Sequence, residues 1–383
     1  MNWRTRITTW LETHWVNPAY SGWLLSALSI FLFIAATNTL AGWLYVMSGA
    51  LMALLLMAAW LTVRNLKSLQ VRRLPIEPIT VGDRLEIGLA LQNPSGAPKG
   101  LLQIVDPLPP QLGMPQDVTV EAVPARGRQV VNYDRPTQRR GIYRWQNVEV
   151  RTAAPLGLFW RRQVWPIRTT AIVYPAILPI GRCPLIDDVG RERSLQILDN
   201  RRAQASHEGM TRSLRPYRWG DPMRMIHWST SARHGELRVR ELEMTSSGRE
   251  VLIAIDSACP WNAEDFEQAV TAATSLYFYA VKHQLNIALW TAGTGKLRGA
   301  KQVLRVMAGV MAGEAPRQET LPKEPVIWLT QNVNTLAQLP VGSRWVLWPT
   351  TDGVVLQSGQ GRGKVIDRAM DLAAQLQMEL TVN

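Results

Sequence analysis

WVNPAYSGWLLSALSIFLFIAATNTLAGWLYVMSGALMALLLMAAWLTV, residues Trp15 to Val63, runs without one charged side chain. A helix that crosses the hydrocarbon core of a bilayer needs about 20 predominantly apolar residues. This run holds two such helices, about Tyr20 to Ala36 and Leu40 to Leu61. Between them Thr37, Asn38 and Thr39 form a short polar break, and a break that brief forces the helices antiparallel. A hairpin at the edge of a soluble core would keep one polar face for water. Two charge-free helices in series have none, so the sequence predicts an N-terminal transmembrane α-hairpin, with residues 1–66 as the membrane anchor.

The flanks set the expected orientation. Arg4 and Arg6 precede the first helix, and Arg64, Lys67, Arg72 and Arg73 follow the second, while the intervening turn is uncharged. Cytoplasmic flanks carry the basic residues, so both ends of the hairpin are expected in the cytoplasm. Trp10, Trp15, Trp23, Trp43, Tyr45 and Trp60 cluster near the expected interfaces, as an aromatic belt does. The apolar run is too long for a cleaved signal peptide, and a second span follows at once. The expected location is the inner (cytoplasmic) membrane, multi-pass, with both termini and the soluble domains in the cytoplasm.

Composition narrows the partners. The formal net charge is +12, and residues 1–63 contribute only +1 of it (Arg4 and Arg6 against Glu12), so the remainder carries +11. A body this basic beneath a bilayer expects an anionic partner: lipid headgroups, an acidic protein face or nucleic acid. Of the 42 cationic residues 35 are arginine, a preference suited to stacked and bidentate contacts; high genomic GC content produces the same bias. Cys183 and Cys259 fit no metal-ligand spacing and no disulfide framework, and two free thiols suit a reducing compartment.

Residues 67–178 read as all-β. Apolar and polar residues alternate in Arg84-Leu85-Glu86-Ile87-Gly88-Leu89 and in Gln146-Asn147-Val148-Glu149-Val150-Arg151. Turn signals fall between the runs at Asn93-Pro94-Ser95-Gly96, Pro109-Pro110 and Arg126-Gly127. About 100 residues of short strands suit an Ig-like sandwich. The apolar turn Pro155-Leu156-Gly157-Leu158-Phe159 is expected to pack on a neighbouring domain. Residues 179–249 read as a connecting segment, with a helix over Arg191 to Ala205 and an arginine and aromatic signature over 209–240.

From 250 to 383 the period changes. Val251-Leu252-Ile253-Ala254-Ile255-Asp256 is a continuous apolar run ending in an acid, the pattern of a buried parallel strand. Asn262 caps a helix whose first turn holds Glu264 and Asp265, with Phe266, Val270, Ala273, Tyr277 and Ala280 on its apolar face. Strands are expected at Asn286–Thr291, Val326–Thr330 and Trp345–Trp348, and helices near Ala300–Met311 and Arg362–Met378. Alternating strands and helices predict a doubly wound, Rossmann-like α/β layer structure with ligands at the carboxyl ends of its strands, here Asp256, Thr291 and Thr330.

That edge offers little catalytic chemistry. Asp256 and Ser257 are the candidate Mg²⁺ ligands, but one carboxylate rarely holds that ion and Gln331, not an acid, follows Thr330; no cofactor is expected. Gly293-Thr294-Gly295-Lys296 has part of a phosphate-loop pattern, but Trp290 and Leu297 occupy positions that need a glycine and a hydroxyl. No histidine sits in a nucleophile motif, and His227 with Asp221 is the one acid–base pairing to weigh.

LRPYRWGDPMRMIHWSTSARHGELRVRE, Leu214 to Glu241, overlaps the signature, which from Arg212 to Arg240 holds seven arginines, two acids and no lysine. Tyr217, Trp219 and Trp228 are interleaved with the arginines. Arginine stacks on an aromatic ring while its fork binds an oxyanion. Internal pairing with Asp221 and Glu236 cannot neutralise so many arginines, so Arg215, Tyr217, Arg218, Asp221, Arg224, Trp228 and Arg233 are the candidate partner-binding residues.

The same stretch resembles the family known as domain of unknown function 58, membrane-anchored proteins of bacteria and archaea. Gly209, Arg215, Tyr217, Gly220-Asp221, Arg224, Ile226, Trp228, Ser231-Ala232-Arg233 and Val239 carry the resemblance, with Arg140-Gly141-Ile142-Tyr143 and Pro155-Leu156-Gly157-Leu158-Phe159 in support. It implies a C-terminal domain similar to the von Willebrand factor A fold and a MoxR-type AAA+ ATPase as partner in assembly or maturation of protein complexes. Of the Asp-x-Ser-x-Ser adhesion motif common in that fold, this chain retains only Asp256, with Ala258 and Pro260 in place of the serines. The expected function is a non-enzymatic membrane adaptor docking an acidic face. The alternative is a nucleotide or nucleic-acid binder, or an unrecognised hydrolase, built on the same segment with His227 and Asp221.

Overall fold

The computed structural model describes residues 10–13, 15–188, 211–218, 223, 226–242, 251–317, 324–350 and 362–380, with backbone alone for 211–213, 234 and 240–242. The chain divides into two compact units, Met1–Pro175 and Ala176–Asn383.

The first unit opens with strand β1 (Asn17–Pro18), helix α1 (Tyr20–Thr39) and helix α2 (Gly42–Leu66). The turn is Leu40-Ala41, with Leu40 left-handed at φ 52°, and not Thr37-Asn38-Thr39 as the polarity of that triplet suggests. The threonines stay helical because their hydroxyls donate back to Phe33 O (2.9 Å) and Ala35 O (2.8 Å). Helix α2 also outlasts its expected end at Leu61. Lys99 Nζ donates to Arg64 O (2.8 Å) at its C-terminus, and Asn65 Nδ2 donates to Gly100 O (2.9 Å) and Thr152 Oγ1 (3.1 Å).

Gly22, Ser29 and Ala36 of α1 and Ser48, Leu55, Ala58, Thr62 and Leu66 of α2 are buried; the helices meet at the small pair Ser29 and Ser48, whereas Leu66 packs into the β-domain core. Small residues let helix backbones approach without a side-chain barrier. Ser29 Oγ donates to Ser48 O (3.1 Å) and Ser48 Oγ to Ser29 O (2.9 Å), which fixes the antiparallel register. Both helices are long and apolar enough to cross a membrane, and only 17% and 22% of their apolar windows are covered by the chain. Their outer faces present Phe31, Ile34, Val46 and Leu56, each at least 60% exposed.

The β domain follows: β2 (Gln70–Arg73), β3 (Ile79–Thr80), β4 (Arg84–Gln92), β5 (Lys99–Asp106), β6 (Gln116–Val123), β7 (Arg128–Pro136), β8 (Gly141–Trp145), β9 (Val148–Thr152), β10 (Phe159–Trp165) and β11 (Thr169–Tyr174). They form sheets ordered β1-β10-β9-β5-β6, β2-β4-β7 and β3-β11-β8. The alternation read in β4 puts Leu85, Ile87, Leu89 and Leu91 at zero exposure. Leu89 and Leu91 pack with Leu102, Ile104, Val120, Val148 and Val150 across the sheets, whereas Leu85 and Ile87 pack with Tyr143, Trp145, Ala171 and Val173, so β4 ties the two core clusters together. Arg73 forms a two-pronged pair with Asp106 (2.5 and 3.0 Å) that is almost fully buried; Trp145 Nε1 donates to the same carboxylate at 3.1 Å, and the Tyr133 hydroxyl donates to it as well. Hydrogen bonds to both carboxylate oxygens of Asp106 make the buried charge tolerable, while Arg73 Nε is left without a partner.

In the second unit, β12 (Thr211–Pro216) and β13 (Arg238–Leu242) form an antiparallel ribbon, with helix α3 (Trp228–His234) between them in sequence. Among the described residues, six further strands and three α-helices follow: β14 (Val251–Ile255), α4 (Ala263–Lys282), β15 (Ile287–Thr291), β16 (Gly295–Leu297), α5 (Ala300–Gly309), β17 (Val326–Thr330), β18 (Arg344–Leu347), β19 (Arg362–Val365) and α6 (Leu372–Gln377). The sheet order is β16-β15-β14-β17-β18-β19, parallel except at β16. Counted from β14 this is the doubly wound order 3-2-1-4-5-6. One face packs on α4, α5 and α6 through Ile253, Ile255, Leu289, Leu329 and Val346. The other clusters Trp290, Trp328 and Trp345 with Leu336. The expected helix over Arg362–Met378 is corrected: its first part is strand β19, where Gly363 lies so close that a Cβ would stand 2.1 Å from the Trp345 ring, and only Leu372–Gln377 is helical. The helix expected over Arg191–Ala205 lies outside the described residues.

The turn Pro155–Phe159 packs on the hairpin. Leu158 and Phe159 are buried with Leu55 and Ala58 of α2, Ala19 N donates to Leu158 O (2.9 Å), and a Cβ on Gly22 would lie 2.2 Å from that carbonyl oxygen. The obstacle is main chain, so it cannot swing aside. Gly22→Ala is expected to cost about 1–3 kcal/mol, read as a lower thermal midpoint of the full chain in mild detergent. Gly49→Ala, which meets nothing within 4 Å, is expected to leave the midpoint unchanged or raise it.

Candidate functional site

The carboxyl ends of β14 and β17 lie at the point where the strand order reverses, the usual ligand position in such sheets. Asp256 follows β14 and is 7% exposed. Its Oδ2 accepts from Thr330 Oγ1 at 2.8 Å, and its carbonyl accepts from Trp261 Nε1 (2.7 Å) and Cys259 Sγ (3.3 Å). Burial raises the Asp256 pKa above the usual carboxylate range, opposed by the hydrogen bonds from Thr330 and Cys259. Burial first, and the Asp256 charge second, push the Cys259 thiol up to about 12. A thiol so held stays protonated and is a poor nucleophile.

Ser257 is fully buried, and its hydroxyl is committed twice, donating to Glu314 Oε2 (3.0 Å) and accepting from Ala292 N (3.0 Å). Glu314 N donates in turn to Ser257 O (3.0 Å). Alongside, Asp265 is 2% exposed, accepts from Gln331 Nε2 (2.6 Å) and pairs with Arg368 through Nη2 (2.6 Å) and Nε (3.0 Å). It is therefore a paired buried charge as well as a first-turn acid of α4. These contacts tie the strand ends to one another. The donor set does not fit Mg²⁺: Asp256 is the single carboxylate at its position, the Ser257 hydroxyl is turned to Glu314, and no group of three His, Cys, Asp or Glu side chains among the described residues could hold a metal ion.

The signature separates into an inner and an outer set. Ile226 and Val239, bridged to one another, are 4% and 3% exposed. Ser231 is buried, donating to His227 O (3.0 Å) and accepting from Arg238 N (2.9 Å), which pins α3 to β13. His227 caps α3, its Nδ1 accepting from Thr230 N at 3.2 Å. Tyr217 is half-buried, and its N–H donates to Leu237 O (2.8 Å). The outer set is Arg218, Arg233 and Trp228, all exposed, Trp228 by 63%. Arg215 on β12 is half-buried, with Nη1 donating to Pro216 O at 3.4 Å. Asp221 and Arg224 lie outside the described residues, so the His227–Asp221 pairing has no described geometry. The signature is rich in arginine and aromatics, which hid the roles of Ile226 and Ser231 as scaffold. Glu314, far along the chain from Ser257 and in no motif, gave no signal at all.

Residues 213–325 match the family described as Protein of unknown function DUF58, a span from the ribbon through the first three strands of the doubly wound sheet and α5. Uncharacterized protein YeaD of Bacillus subtilis (strain 168) is 23% identical over 256 residues, 64% of this chain and 62% of that protein, so the chain spans less than two thirds of this relative. Among solved structures, the CARDB domain of the PF1109 protein from Pyrococcus furiosus aligns with 27% of this chain and 93% of that one, at 12% identity and a TM-score of 0.19. A β-glucosidase from Listeria innocua aligns with 29% of this chain and 16% of that one, at 14% identity and a TM-score of 0.18. Scores this low assign neither fold nor activity.

Because its folded pKa is raised, Asp256 contributes stability that is fully present below its unfolded pKa and is lost as pH rises through the folded value. Asp256→Asn keeps an acceptor for Thr330 without the charge. Denaturation midpoints measured between pH 4 and pH 8 are expected to show the variant gaining on the native chain as pH rises; parallel profiles would contradict this.

Proposed function

We propose that this chain is a membrane-anchored, non-enzymatic adaptor whose arginine and aromatic ribbon docks the acidic face of a protein partner. Exposed Trp228 carries the reading. A tryptophan exposed on a short helix, in a segment that also exposes Arg218 and Arg233 and buries Ile226, Ser231 and Val239 as scaffold, has the composition of an interface anchor. The two helices with uncovered apolar faces serve as the transmembrane anchor in the inner membrane, and the basic flanks support both termini and the soluble domains being cytoplasmic. The β domain, read as Ig-like, links the hairpin to the ribbon along the chain. The 3-2-1-4-5-6 sheet with one antiparallel edge supports a von Willebrand factor A-like reading of the last domain. The similarity to DUF58 then makes a MoxR-type AAA+ ATPase the partner to test, with complex assembly or maturation as the joint role. The strand-end crevice supports a non-enzymatic reading, because its polar groups are satisfied by one another.

Tagged full-length chain, extracted in mild detergent with a co-expressed MoxR-type ATPase, is expected to retain the ATPase on affinity resin. The double variant Arg218→Glu/Arg233→Glu and the single variant Trp228→Ala are each expected to lower recovery roughly tenfold or more, the effect of losing an anchor worth about 2 kcal/mol. Unchanged recovery with both would sink the docking assignment.

A further inference from the structure

The β domain carries a second apolar feature beside the helices. In the register set by Ser29 and Ser48, moving equal distances along both helices puts Gly22 opposite Leu55. The turn touches both residues: Leu158 is packed with Leu55, and its carbonyl abuts Gly22. Ser21 Oγ donates to Gly157 O at 3.4 Å, at the same level. Helix α1 begins at Tyr20 and has 20 residues. At 1.5 Å per residue it spans about 30 Å, the thickness of the hydrocarbon core. If α1 spans the bilayer, its start marks the near boundary of the core, and the turn sits at that boundary. Trp23 and Trp60, 64% and 58% exposed, lie close to the same level, where amphipathic rings settle.

Beside the turn is a cleft of about 400 Å³ lined by Leu101, Gln103, Thr119, Leu156 and Trp160 among others. Leu101 and Leu156 expose 59% and 45% of their surface. Arg151 bonds two of the lining residues: its Nε donates to Gln103 Oε1 at 2.9 Å, and its guanidinium stacks at 5.6 Å over the Trp160 ring. Arg161 donates to the Trp15 carbonyl. An amide and a backbone carbonyl are neutral, so neither contact cancels the charge of its arginine.

We propose that this end of the β domain is itself a lipid-binding site, with Leu156 inserted at the edge of the hydrocarbon layer and an anionic phospholipid headgroup held at the cleft by Arg151. The inference rests on the reading of the hairpin as membrane-spanning, but not on which way the hairpin faces. Apolar tips give membrane contact its depth, and arginines near the surface add electrostatic attraction to anionic lipid.

The test places one nitroxide per variant on the full-length chain in phosphatidylglycerol/phosphatidylcholine nanodiscs, at Leu156→Cys, Ile34→Cys or Met114→Cys, with the labelled native chain as background for buried Cys183 and Cys259. Met114, 83% exposed, lies beyond the end of β5 that points away from Lys99 and α2, and serves as the aqueous reference. Relaxation by oxygen relative to a water-soluble nickel chelate is expected to be several-fold higher at 156 than at 114, and highest at 34. A water-like reading at 156 with a lipid-like one at 34 overturns the site while leaving the anchor intact. A water-like reading at 34 overturns both. In the same discs Arg151→Gln is expected to lower the phosphatidylglycerol retained after detergent exchange, with phosphatidylcholine unchanged; equal retention of both lipids would remove the headgroup from the assignment.

Discussion

The main-chain carbonyl of Leu158 meets helix α1 where that helix has no side chain. This contact sets how the first unit is put together. Because Gly22 offers only a hydrogen, the turn can reach the helix backbone, accept from Ala19 N and leave Leu158 and Phe159 buried against α2. Any larger residue would hold the turn off the helix and expose those side chains. A contact between backbones is stiffer than one between side chains, since neither partner has rotamers to relax into. The hairpin and the β domain are thereby joined at the N-terminal end of α1 as well as through the covalent link at the end of α2.

The other end of that joint is polar. Lys99 is almost completely buried, and burial, then the neighbouring Arg64 charge, lowers its pKa. Its ammonium is matched to a carbonyl in the last turn of α2, where the helix dipole favours a cation. Asn65 both donates to and accepts from the backbone at Gly100, so the helix end is held in register with β5. Further into the domain, Arg73 and Asp106 are buried together with Tyr133 and Trp145 on the same carboxylate. Such a cluster adds less to stability than an apolar one of equal size, but removing one member strands a charge. Its value lies in fixing one arrangement of the strands that follow the hairpin.

The hairpin and the period-2 strands were legible in the sequence because both depend on side-chain polarity at fixed spacing, and burial acts directly on polarity. Leu85, Ile87, Leu89 and Leu91 are the clearest case. Legibility failed where backbone satisfaction overruled polarity. Thr37 and Thr39 look like a turn, yet their hydroxyls find partners inside the helix, and the chain turns at apolar Leu40 instead. It failed again at β19, where helix-compatible residues around Gly363 form a strand because the Trp345 ring needs the space. Asp256 and Ser257 were visible at the end of a buried run, but Glu314, which claims the Ser257 hydroxyl, is brought there by the fold alone.

That closure explains why the doubly wound sheet and the ribbon have different standing as functional surfaces. Around its strand ends lie the residue types from which sites are built: three carboxylates, two hydroxyls, a thiol and an amide. Thr330 serves Asp256, Glu314 accepts a hydrogen bond from the Ser257 hydroxyl, and Gln331 and Arg368 serve Asp265, so a ligand entering there would have to break existing bonds before making its own. A buried polar network that is already satisfied gives rigidity and little affinity for newcomers. On the ribbon the balance is reversed. Its hydrogen bonds are spent on holding α3 against β13, and Trp228, Arg218 and Arg233 are left exposed. Covering Trp228 would remove apolar area from solvent without breaking any of the bonds described for the ribbon, whereas a ligand at the sheet edge would displace bonds already made.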